Sequence, residues 1–130
     1  MFITIFKPSV IMVKSSSIFK KKHTFDSRKQ ESTRIMLKYK DRIPIVVETS
    51  ESNKELILDK TKFLVPVDLS VAQFLYVLRL RIKLKPECAL YIFFNNQLHT
   101  NSETIGSIYK MNKESDGFLY GIVSLENTFG

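Results

Sequence analysis

The feature that most limits the fold of this chain is an apolar stripe. Val71, Phe74, Leu75, Leu78 and Ile82 recur three and four residues apart, the spacing that gathers side chains on one face of an α-helix. Asp68 or Ser70 stands where an N-cap is needed, and Pro86 lies beyond the far end. A helix with such a face must be covered by another layer. The short apolar, β-branched runs on either side of it supply strands for that layer.

The runs before the stripe are a helix and two strands. A helix is expected from Asp26, capped by Asp26 or Ser27; Ser27 and Gln30 have capping-box spacing, and Glu31 and Ile35 share a face. It must stop before Pro44, since a residue preceding proline is pushed to extended geometry. Ile45 to Glu48 reads as a strand and Thr49 to Lys54 as a loop. Lys60 to Val65 is a second extended run closed by Pro66, and proline at a strand end suits a sheet edge. After the stripe come a strand at Ala89 to Phe94, a turn at Asn95-Asn96, and a short helix at Glu103 to Met111 weakened by Gly106. A hairpin-type turn at Asp116-Gly117 and a last strand at Phe118 to Ser124 complete the order. The class is α+β, with helix, strand, strand, helix, strand, short helix and strand in that order.

At 130 residues the chain is one domain. Its single cysteine, Cys88, excludes an internal disulfide framework, and the isolated His23 and His99 exclude a His/Cys metal cluster. Cys88 reads as a semi-buried side chain and His99 as a surface loop residue. No run approaches the roughly 18 apolar residues that span a bilayer. The first acidic residue is Asp26. The basic, Ser-rich stretch before it is open to three readings: an extension upstream of a start at Met12, a transit-like peptide, or a flexible arm. Residues 1–17 are therefore set aside from the fold, 18–124 taken as the domain, and 125–130 as a flexible tail.

The formal net charge of +7 admits nucleic acid, an anionic membrane or acidic peptides as partners. Lys20, Lys21, Lys22 and His23 concentrate part of it. A nucleic-acid domain is disfavoured: there is no glycine-rich RNA fingerprint and no tryptophan, and the aromatics sit at core spacing. No nucleophile, base and orienting group can be assembled, so no catalytic residue and no cofactor is expected.

Five runs resemble the autophagy family of ubiquitin-like modifiers, relatives of GABARAP and microtubule-associated protein light chain three. They are FDSRKQESTRI (Phe25 to Ile35), RIPIVVE (Arg42 to Glu48), KFLVPVDLSVAQF (Lys62 to Phe74), DGFLY (Asp116 to Tyr120) and ENTFG (Glu126 to Gly130). The similarity spans about Ile18 to Gly130. It implies a ubiquitin-like β-grasp core with two additional N-terminal helices, the first within Ile18 to Phe25. The sequence departs from the family pattern at Leu125, usually glycine, at Val123, usually aromatic, and at Leu56, His99 and Thr100, where prolines are common.

The resemblance implies two activities. Gly130 is the point of lipid conjugation: activating and conjugating enzymes pass its carboxylate through thioesters to the amine of phosphatidylethanolamine. A residue without a Cβ suits threading into a narrow site. The second activity is capture of cargo receptors through short aromatic-x-x-aliphatic motifs by strand addition. The aromatic pocket maps to Glu31, Ile35, Pro44, Val46, Lys62, Leu64 and Phe118. The aliphatic pocket maps to Phe63, Val65, Pro66, Leu69, Phe74, Val77 and Leu78. Lys60, Lys62 and Arg81 would meet acidic flanks of the motif. The protein would be cytoplasmic, then held on the autophagosome membrane by its lipid. A role in maintaining an organelle membrane of plastid type is the alternative reading.

Overall fold

The computed structural model describes residues 17–53, 56–58 and 60–125. Its elements are α1 (Ile18–Lys22), α2 (Phe25–Lys38), β1 (Arg42–Thr49), a 3₁₀ turn (Glu51–Asn53), β2 (Lys62–Pro66), α3 (Val71–Ile82), β3 (Tyr91–Phe94), α4 (Ile105–Asn112) and β4 (Leu119–Ser124). The strands form one mixed sheet in the order β2-β1-β4-β3. β1 runs antiparallel to β2 and parallel to β4, and β3 runs antiparallel to β4. This is the ubiquitin-like α+β arrangement, with α1 and α2 added ahead of it.

The apolar stripe does what its spacing requires. Val71, Phe74 and Leu78 are buried, against a core that includes Ile43, Ile45, Val47, Leu119 and Val123 from the sheet. Ser70 caps α3 in a full capping box with Gln73, the Ser70 Oγ accepting from Gln73 N–H and the Gln73 side chain accepting from Ser70 N–H. The opposite face of the sheet carries a second, smaller cluster of Phe19, Val46 and Phe118 with Tyr120 at its border. Alternation along β1 separates the two layers: odd positions face α3, and Pro44 and Val46 face the N-terminal helices.

Several boundaries differ from the sequence reading. Thr24 caps α2, its hydroxyl accepting from Ser27 N–H at 3.2 Å. Asp26, expected as a cap, sits in the first turn, where its charge meets the positive end of the helix. β1 begins at Arg42 and contains Pro44. Val47 N–H donates to Thr61 at 2.8 Å, so odd amides of β1 point to β2 and the Pro44 nitrogen points to the β4 side, one residue before that ladder starts at Ile45. The Asn95-Asn96 turn holds, with both residues at positive φ (55° and 60°) and Phe94 and Gln97 exchanging backbone hydrogen bonds. The Asp116-Gly117 turn joins α4 to β4 and is not a hairpin between strands. His99 is not a surface residue. Its side chain is 13% exposed, Nδ1 lies 3.0 Å from Glu103 Oε2, and the ring packs on Phe94. Gly106 weakens a helix for a reason: a Cβ there would lie 2.7 Å from the Val67 carbonyl oxygen, which accepts the Gly106 N–H.

A buried polar network fastens the added helices to the core. Arg28 Nε donates to Asp116 Oδ2 at 2.9 Å, and Tyr120 Oη donates to the same oxygen. Phe118 N–H donates to Oδ1 at 3.0 Å, and Ser32 Oγ donates to the Asp116 carbonyl. Arg28 Nη1 reaches back to the His23 carbonyl at 2.7 Å. Burial and the hydrogen bond to Asp116 push the Tyr120 hydroxyl well above its usual range. Gly117, at φ 91°, brings the backbone so close that a Cβ would strike Ser32 Oγ at 2.3 Å.

The side chains of Asp116 and Arg28 are 2% and 12% exposed, so removing the carboxylate leaves a cation almost without solvent. Asp116→Ala is expected to cost about 3–5 kcal/mol in urea unfolding. A second expectation concerns acid. Thr100 N–H, then His99, hold the Glu103 carboxyl below its ordinary value of 4.5. The folded value is the lower one, so this contribution is whole above about pH 4.5 and is lost as pH falls through the folded value. Exchange of the Thr100 amide, relative to its intrinsic rate, is expected to accelerate only on that acid side.

Candidate functional site

β2 is an edge of the sheet, and its alternation assigns one set of side chains to each layer. The register pairs Ile43 with Val65, Pro44 with Leu64, Ile45 with Phe63 and Val46 with Lys62. The same alternation governs the backbone. Val47 N–H bonds the Thr61 carbonyl at 2.8 Å and Val67 N–H bonds the Asp41 carbonyl at 3.0 Å, so odd residues of β2 turn their polar groups to β1. The N–H and C=O groups of Lys62 and Leu64 consequently point away from β1, to an edge that no strand among the described residues pairs with.

On the side of the N-terminal helices, Pro44, Val46 and Phe118 are buried and form a floor. Leu64 is half-buried beside it. Lys62 Nζ bonds Glu31 Oε2 at 2.7 Å, with side chains 48% and 24% exposed, across the space between β2 and α2. Ile35 lies half-buried one turn beyond Glu31. On the α3 side, Phe63 meets Phe74 edge-on at 5.6 Å, and the Arg81 guanidinium lies 5.8 Å from the Phe63 ring centre. Val65, Phe74 and Leu78 are core residues that close the bottom, whereas Phe63 and Leu69 are half-buried and Pro66 and Val77 exposed. Lys60 is exposed, two residues ahead of β2. The β2 edge thus has a partly apolar set of side chains on each face, with Lys60, Lys62 and Arg81 near it.

Residues 27–130 match the family described as "Autophagy protein Atg8 ubiquitin like". The chain belongs to the Atg8 family. Autophagy-related protein 8B of Oryza sativa subsp. indica is 51% identical over 119 residues, covering 92% of this chain and 98% of that protein. Autophagy-related protein 8 of Scheffersomyces stipitis is 50% identical over 114 residues, covering 88% of this chain and 82% of that protein. The crystal structure of Trypanosoma brucei ATG8 superposes with a TM-score of 0.80 at 41% identity, covering 89% of this chain and all of that one. This Atg8-family chain is accordingly a ubiquitin-like autophagy protein, of a family of modifiers rather than enzymes.

The Atg8 fold here adds residues that the sequence reading did not assign to the edge. Phe19 of α1 is 7% exposed and packs edge-on against Phe118 at 5.3 Å, while Lys62 Nζ lies 5.8 Å from the Phe19 ring centre. Phe19 N–H donates to Glu48 Oε2 at 3.0 Å. A cavity of about 650 Å³ opens next to it, between α1, the end of β1 and the segment before β2, with Lys21, Lys22, Leu56, Leu58 and Lys62 among its walls. Apart from Lys62, these residues belong to separate local runs, and only the fold shows that they adjoin. Among the described residues no group of His, Cys, Asp or Glu could hold a metal ion, and no helix is long and apolar enough to cross a membrane. Gly130 lies outside the described residues.

Proposed function

We propose that this protein is conjugated through Gly130 to phosphatidylethanolamine and that, on the resulting membrane, it gathers cargo receptors at the β2 edge. The observation that carries the second half is the open edge itself. Lys62 and Leu64 turn backbone donors and acceptors outward between two apolar depressions, which is what an added strand with side chains on alternate faces needs. The aliphatic position of the motif comes three residues after the aromatic one, so in an extended strand the two side chains fall on opposite faces. Its backbone pairs with Lys62 and Leu64, its aromatic ring enters over Pro44, Val46 and Phe118, and its aliphatic side chain enters beside Phe63, Leu69 and Val77. Ile35 and Leu64 border the first depression; Val65, Pro66, Phe74 and Leu78 shape the second.

Charge selects among such peptides. Lys62 is held by Glu31 and is released to an acidic flank when that flank displaces the carboxylate. Lys60, Arg81, Lys21 and Lys22 extend the basic rim on both sides. Lys62→Glu is expected to weaken an acid-flanked aromatic-x-x-Leu peptide by about tenfold or more and to flatten the salt dependence of its binding, measured by calorimetry at two ionic strengths.

The first half rests on family membership and on the matched segment reaching Gly130. The chemistry belongs to the activating and conjugating enzymes, which supply the thioester cysteines. The protein supplies a carboxylate on a residue with no side chain. Two acyl chains at about 0.8 kcal/mol per buried CH₂ anchor it without a membrane-spanning helix. The protein then moves from cytoplasm to the autophagosome surface. Mass spectrometry of the cellular protein is expected to show a phosphatidylethanolamine adduct on Gly130 that disappears in Gly130→Ala. An unmodified C-terminus under starvation, with those enzymes present, would leave only the docking edge.

A further inference from the structure

The end of β4 is tied to the 3₁₀ turn by one side chain. Asn53 is 4% exposed, and its Oδ1 accepts from Ser124 Oγ at 2.8 Å, from Leu125 N–H at 3.0 Å and from Ser50 Oγ at 3.1 Å. A backbone amide can only donate, so the atom facing Leu125 is the amide oxygen and not its nitrogen. Ser50 and Ser124 are themselves 2% and 4% exposed. The backbone adds a parallel link, with Ser50 N–H on the Val123 carbonyl at 2.9 Å. Independently of these bonds, the Leu125 side chain packs on the main core.

Leu125 is therefore seated twice, through its amide and through its side chain. Five residues, 126–130, lead from it to the Gly130 carbonyl carbon. They span at most about 17 Å when extended. A reaction at Gly130 takes place within that distance of the Leu125 attachment point. That point is held by Asn53, an acceptor some seventy positions earlier in the chain.

We infer that Asn53 is a positioning residue for conjugation: it fixes the root of the C-terminal tail and so sets the distance and direction over which Gly130 is presented. The inference rests on the proposed reaction at Gly130. Asn53 does not touch the reacting atoms. Without its oxygen the Leu125 amide loses its acceptor, and one further residue joins the length of chain that has to be ordered when Gly130 enters an enzyme. Ordering one further residue corresponds to a factor of roughly five to thirty in apparent affinity.

The test uses the full chain with purified activating and conjugating enzymes and vesicles containing phosphatidylethanolamine. Asn53→Ala is expected to raise the KM for the chain by roughly five- to thirtyfold with kcat held. Asn53→Asp, which keeps an acceptor for all three donors, is expected to restore the wild-type KM. In the same samples the Leu125 amide should lose protection from exchange in Asn53→Ala while the β2 edge keeps its affinity for an aromatic-x-x-Leu peptide. A wild-type KM in Asn53→Ala overturns the inference. So does a parallel loss of kcat and peptide affinity, which would mark a purely structural side chain. If the wild-type chain forms no adduct at all, the reading of Gly130 fails and this inference falls with it, an outcome separate from the other two.

Discussion

β1 is paired along both edges and buried on both faces, so its two-residue alternation has to satisfy two layers at once. Ile43, Ile45 and Val47 go to the core beneath α3, and Pro44 and Val46 go to the side of the N-terminal helices. A one-residue slip would exchange the two sets and expose the wrong face to each layer. β2 inherits its register from β1, and with it the division of Phe63 and Val65 from Lys62 and Leu64. The open edge is thus a consequence of how the centre of the sheet is built.

The second layer would not stay in place by apolar contact alone. The cluster of Phe19, Val46 and Phe118 is small, and α1 has only five residues. Asp116 supplies the directional part. Its carboxylate collects Arg28, Tyr120 and the Phe118 amide, and its carbonyl collects Ser32. A fully satisfied buried network of this kind fixes geometry more sharply than it adds stability. Here it sets where α2 stands over the sheet, and with it the Glu31–Lys62 pair beside β2. The β2 edge, the N-terminal helices and the turn before β4 are one mechanical unit.

The two proposed activities occupy separate parts of this unit. The peptide edge depends on β2 and the faces beside it. The tail departs from the far end of β4, beside the 3₁₀ turn after β1. β1 contributes to both, through Pro44 and Val46 where it pairs with β2 and through the Ser50–Val123 link just past its end.

Much of the architecture was legible in the sequence because it rests on periodicity and on local chemistry. The spacing from Val71 to Ile82 determines α3, Ser70 is one of the two caps the sequence offers, and Pro66 marks an edge that the sheet order bears out. The alternation of Lys62, Phe63, Leu64 and Val65 is equally a local property. What the tertiary structure alone decided are the contacts between distant segments. Nothing near Asp116 announces Arg28, and nothing near Asn53 announces Leu125. His99 looks like a surface residue until Glu103 and Phe94 close around it in its loop. Thr24 outranks Asp26 as a cap only because the chain turns there, between α1 and α2. Periodicity states which face of an element is apolar; which polar atom ends beside which other is settled only when the layers close and each buried donor must find its acceptor.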